Sequence, residues 1–155
     1  MEDKNDELFM DEALRLAGEA AEEGEVPVGA VIVKDGKIIG RGRNRREKIK
    51  NALAHAEIEA INEACVALGG WRLPGCTMYV TLEPCPMCAG AIVNSRIENA
   101  VIALSDPKSG ALGSVINFNA YPLNHRVRVS YGLRADKARE YMQVFFESLR
   151  VKRSK

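Results

Sequence analysis

Residues 28–42 read VGAVIVKDGKIIGRG, two β-branched runs on either side of Asp35-Gly36. A two-residue turn of this type needs positive φ at both positions, which Asp and Gly tolerate, so the segment predicts an antiparallel hairpin. A hairpin is not stable alone. Further strands must extend it, and helices or another sheet must cover its apolar face.

The remaining chain supplies both. Upstream, Leu8, Phe9, Ala13, Leu16, Ala17, Ala20 and Ala21 recur at helical spacing and stop at Gly24, the pattern of an amphipathic helix. Downstream, the patterning predicts a helix over about 53–68 and a strand TMYVTL over 77–82. A helix over about 85–95, strands at 100–104 and 126–131, and a last helix over about 135–150 follow. The order α-β-β-α-β-α-β-β-α is that of an α/β protein, a mixed sheet of about five strands with helices on both faces. With 155 residues and 46% hydrophobic composition, one domain over 1–155 is expected.

No stretch approaches the roughly 20 apolar residues that span a bilayer. The first 25 residues carry ten acidic and two basic side chains, the reverse of a secretory or mitochondrial leader, which predicts a cytoplasmic protein with no membrane partner. Two basic runs oppose this acidic start. Residues 34–50 hold eight basic and two acidic side chains, and residues 124–155 hold nine and three. They read either as a face for a polyanion or as solvated surface.

The cysteines carry the chemistry. Cys85 and Cys88, in TLEPCPMCAG, stand at i and i+3, on one face of the first turn of a predicted helix. Pro84 and Pro86 suit a helix N-terminus, where a missing N–H costs nothing, and that terminus favours thiolate. A C-x-x-C pair alone could be half of a structural zinc site, a redox pair or coincidence. A redox pair would want a thioredoxin-like βαβ context, which the chain does not show.

Thirty positions upstream, LAHAEIEAI places His55 and Glu57 at a second helix start that can aim at the same point. His55, Cys85 and Cys88 would give three ligands and leave a tetrahedral position open for water, the arrangement of catalytic zinc. A structural site would need a fourth ligand, for which Cys65, Cys76 and His125 are the candidates. Glu57 shares the site only if the pair sits at the helix start, where a carboxylate can move a proton.

H-A-E followed by P-C-P-M-C resembles the signature of the zinc-dependent nucleoside and nucleobase deaminases, H-x-E…P-C-x-x-C. Within that superfamily the chain is most similar to the bacterial tRNA-specific adenosine deaminases, over EVPVGAVIV, GRGRNR, AHAEIEAI, TLEPCPMCAGAIVNSRI, DPKSGALGS and NHRV. The resemblance implies a three-layer α/β/α, cytidine-deaminase-like fold, a homodimer, one zinc ion per chain, and conversion of wobble adenosine to inosine in a tRNA anticodon stem-loop. It puts His55, Cys85 and Cys88 on the zinc ligands and Glu57 on the proton shuttle. Asn44 falls on the asparagine that contacts the target nucleoside, and Asp106, Lys108 and Ser109 on the loop that holds flanking RNA.

The purine is then expected in a pocket under the hairpin, with backbone groups near Ala56 and Glu83 as hydrogen-bond partners. Of Phe145 and Phe146, one is expected in the core and one near the substrate, and Arg150 is the leading RNA contact in the last helix. Two rival functions stay open: a small-molecule deaminase acting on guanine or cytosine, and a non-catalytic RNA-binding module stabilised by a closed zinc shell.

Overall fold

The computed structural model describes residues 4–153. Glu2, Asp3 and Lys155, counted in the charge runs above, lie outside the described residues. Helix α1 (Lys4–Glu22) precedes the hairpin of β1 (Gly29–Lys34) and β2 (Lys37–Arg43). Then come α2 (Ala56–Leu68), β3 (Thr77–Leu82), α3 (Pro86–Asn94) and β4 (Asn99–Leu104). A 3₁₀ turn at Phe118–Ala120, β5 (Arg128–Tyr131) and α4 (Ala135–Arg153) complete the chain. The hairpin closes as expected, with φ of 50° at Asp35 and 76° at Gly36.

The five strands form one mixed sheet in the order β2-β1-β3-β4-β5. Strand β1 runs antiparallel to β2 and β3, whereas β3, β4 and β5 are parallel. Strand alternation divides the core into two layers. Ala30, Ile32, Met78, Val80, Ala100 and Ile102 meet α2 and α3 on one face. Val31, Val33, Tyr79 and Ala103 meet α1 and the start of α4 on the other.

Helix α2 lies unusually close to β2. A Cβ on Gly40 would stand 2.2 Å from the Ala60 carbonyl oxygen, and one on Gly42 2.0 Å from that of Ala56. The facing stripe of α2 is Ala56, Ala60 and Ala64, all fully buried. Small residues on both sides allow the backbones this contact.

The structure moves three boundaries. Helix α2 starts at Ala56 rather than near 53, because the Asn51 side chain accepts from the Leu53 N–H at 2.8 Å and holds a turn before the helix. Strand β5 starts at Arg128 rather than 126, because Asn119 takes both backbone groups of Val127. Helix α4 continues to Arg153. Strands β3 and β4 are parallel neighbours joined through α3, so the cysteine pair stands on the helix of a βαβ unit. No helix among the described residues is long and apolar enough to cross a membrane.

Candidate active site

Parallel strands open a crevice beyond their C-terminal ends, and the chemistry-bearing residues gather there. From the end of β3, Glu83-Pro84 leads to Cys85, which caps α3 in extended conformation with Pro86 in the first turn. His55 caps α2 in the same way, with φ −87° and ψ 152°. The condition set by the sequence is therefore met: the histidine and Glu57 sit at the helix start.

His55 Nδ1 lies 3.8 Å from Cys85 Sγ and 3.5 Å from Cys88 Sγ. All three potential ligand atoms fall within 4.8 Å of one another, the one such group of His, Cys, Asp or Glu among the described residues. Cys65 and Cys76 instead approach the carbonyl oxygens of Trp71 and Pro74, at 3.7 Å each. His125 Nε2 is 2.6 Å from the Ile97 carbonyl oxygen. None of the three reaches the cluster as a fourth ligand.

Electrostatics distinguish the groups. The Cys85 thiol is pushed down to about 4, first by the hydrogen bond from Cys88 and then by His55. Cys88 is pushed up, because it donates that bond and is buried. Desolvation pushes the Glu57 carboxyl up to about 7, with His55 pulling the other way.

A cavity of about 390 Å³ stands above the cluster. His55, Glu57 and Cys85 line its base, Val26, Val28 and Asn44 one side, Asp106, Lys108 and Ser109 another, and Met142 and Phe146 of α4 a third. Phe145, 9% exposed, packs inward as one of the pair was expected to, while Phe146, 44% exposed, lines the cavity. The hairpin contributes its open end to the walls, just before β1 and just after β2.

Two expected contacts are already engaged within the protein. The Asn44 Oδ1 accepts the Ala56 N–H at 2.9 Å, so that N–H is already taken while Asn44 lines the cavity. Asp106 closes its own turn, accepting from the Lys108 and Ser109 N–H groups and the Ser109 hydroxyl. Arg46 also lines the cavity, although no signal within its basic run set it apart from its neighbours.

With this geometry in hand, comparison with known proteins is decisive. The family of MafB19-like deaminases matches residues 4–150. A tRNA-specific adenosine deaminase of Bacillus subtilis (strain 168) is 49% identical over 149 residues, covering 96% of this chain and 92% of that protein. One from Aquifex aeolicus (strain VF5) is 49% identical over 145 residues, covering 93% and 95%.

The chain belongs to the family of tRNA-specific adenosine deaminases.

The fold agrees. A structure from work on A-to-I editing by tRNA:A34 deaminases superimposes with a TM-score of 0.84 at 46% identity, covering 86% of this deaminase and 98% of that chain. A guanine deaminase from Nitrosomonas europaea superimposes at 0.75 with 26% identity, covering 90% and 83%.

Proposed function

We propose that this deaminase converts adenosine to inosine at the wobble position of tRNA, with His55, Cys85 and Cys88 holding one zinc ion and Glu57 moving the protons. The observation that carries the reading is a three-ligand cluster open to a purine-sized cavity whose base also holds a buried carboxylate. The donor set fits zinc: one imidazole and two thiols, one already favouring thiolate, at separations that a tetrahedral ion with bonds of about 2.0–2.3 Å can bridge. Bound there, zinc supplies a Lewis acid that makes water a nucleophile near neutral pH.

The residues do the rest. Glu57 would take one proton from the attacking water and give it to purine N1, then carry the proton of the new C6 hydroxyl to the departing amino group, so that ammonia leaves and the C6 carbonyl forms. Asn44, fixed by its bond to Ala56, offers its amide NH₂ to the nucleoside. Asp106, Lys108 and Ser109 form the wall that meets the flanking nucleotides, and Phe146 closes the outer side against the base.

The single deaminase domain over 1–155 acts as a cytoplasmic homodimer. Ile49, Leu53 and Val66 share an open groove and are 46%, 57% and 83% exposed, an apolar surface suited to a second copy. A free-base deaminase is the second reading, favoured by the likeness to guanine deaminase. Zinc-loaded protein incubated with an anticodon stem-loop, guanine and cytosine separates the two. Inosine in the stem-loop is expected, whereas turnover of the free bases alone would overturn the proposal.

A further inference from the structure

Glu83 is 2% exposed and stands between the end of β3 and the Cys85 ligand position. Isolated, a carboxylate so buried would be costly. This one accepts from four donors, all on one loop. Its Oε1 takes the Asp106 N–H at 3.0 Å and the Ser114 hydroxyl, and its Oε2 takes the N–H groups of Leu112 and Ser114 at 3.1 Å each.

Other contacts press the same loop onto it. A Cβ on Gly110 would stand 2.3 Å from Glu83 Cδ, so only glycine permits this approach. The Ala111 N–H donates to the Pro84 carbonyl at 2.9 Å, and the Tyr131 hydroxyl donates to that of Leu112. The anchored segment begins at Asp106 and ends at Ser114. Its first part, Asp106 to Ser109, forms one wall of the cavity mouth, with Lys108 and Ser109 exposed.

Charge-assisted bonds are roughly twice as strong as neutral ones. Four of them on a loop whose outer part, Pro107 to Ser109, is exposed fix its shape before any ligand arrives, and a surface that is ordered in advance loses less entropy on binding. We propose that Glu83 is the positioning residue for RNA: its carboxylate holds the 106–114 loop in the form that receives the nucleotides flanking the reacting base. The inference rests on the function proposed above.

Glu83 acts through the loop and not on the reacting atoms, so its loss belongs in substrate binding rather than in chemistry. Glu83→Gln keeps the shape but sets an NH₂ against loop donors whichever way the amide is turned. Hydrogen exchange at the Asp106, Leu112 and Ser114 amides should accelerate. KM for an anticodon stem-loop should rise about tenfold or more, as expected for a broken bond to a charged group, while the single-turnover rate at saturating substrate stays within about threefold and zinc is retained.

Gly110→Ala, which pushes the loop off the carboxylate, should reproduce the KM effect, and the two changes together should not add. Ser114→Ala, a milder loss of one donor, should give the same direction if either of the others folds poorly. An unchanged KM with accelerated exchange overturns the proposal, as does a collapse of the single-turnover rate with KM intact, which would make Glu83 a proton-transfer group. If wild-type protein forms no inosine in the stem-loop, the function itself fails, a result separate from any behaviour of Glu83.

Discussion

Glu57 and Glu83 are both buried glutamates near the same cavity, and what faces each carboxylate separates their roles. Glu83 meets four hydrogen-bond donors and is held fast. Glu57 lies at the cavity base beside His55, where desolvation dominates its titration. Under the function proposed above, Glu57 and not Glu83 exchanges a proton with the ligand. Glu57→Gln should therefore retain about one zinc per chain and near-normal RNA affinity while deamination falls by about 10²- to 10⁴-fold, the range of a general acid–base group. Cys88→Ala should instead lose most of the metal, because it removes one of the three proposed ligands. Metal analysis beside single-turnover inosine formation checks both, and loss of zinc from Glu57→Gln would contradict the division of labour.

Among the elements, α2 links packing to chemistry. Its N-terminus carries His55 and Glu57, and its alanine stripe rests directly on Gly40 and Gly42. A methyl group at Gly42 meets backbone rather than a side chain that could swing away. Gly42→Ala should cost about 1–3 kcal/mol, the usual range for overpacking, and should also weaken zinc binding by displacing the helix start. Gly29→Ala presses on α1 instead, with its Cβ 1.9 Å from the Ala13 carbonyl. It should destabilise without that loss of metal affinity. Chemical denaturation combined with zinc competition distinguishes them, and equal zinc loss in both variants would refute the link.

Elements of this kind were largely legible in the sequence, because local punctuation marks them. Asp35-Gly36 sets the hairpin turn, Gly69 ends α2 in the left-handed conformation, and Pro86 opens α3. The boundaries that moved were set by side chains bonding to backbone, from Asn51 to its neighbour Leu53 and from Asn119 to Val127 eight residues away. Glu83 was opaque for a related reason. Nothing in TLEP shows that its carboxylate meets a loop 23 to 31 residues onward.

On the scale of the whole molecule, the charge runs that looked separate in sequence meet in space. Arg43 bonds Glu23 at 2.6 Å and lies 3.4 Å from Glu19, Lys48 pairs with Glu23, and Arg41 is 3.9 Å from Glu12. Arg45 turns to Glu59 at 2.6 Å, and Glu25 accepts the Glu47 and Lys48 N–H groups. Much of the 34–50 run is thus occupied by the acidic start of the chain and by α2 rather than offered to phosphate. Arg46 is the basic member of that run that lines the cavity.

These pairings also set an acid response. The Glu23 carboxyl is held down at about 2 from an ordinary 4.5, first by Arg43 and then by Lys48. A lowered carboxylate pKa contributes stability above the unfolded value, and that contribution is lost as pH falls through the folded one. Glu23→Gln should melt below wild type at pH 6, with the gap shrinking below about 4.5 and vanishing near 2. Melting curves across that range test it, and a constant gap would exclude the ion pairs as its source.

The Asn44–Ala56 bond has a consequence for anyone redesigning this protein. One amide both accepts the first N–H of α2 and lines the cavity. If Asn44 meets the nucleoside as proposed, replacing it to admit another nucleobase would also loosen the scaffold beneath the histidine and glutamate, so selectivity and catalytic competence would move together at this position. A library built around Asn44 needs a compensating acceptor for the Ala56 N–H, or its survivors will be selected for repair rather than for new substrates.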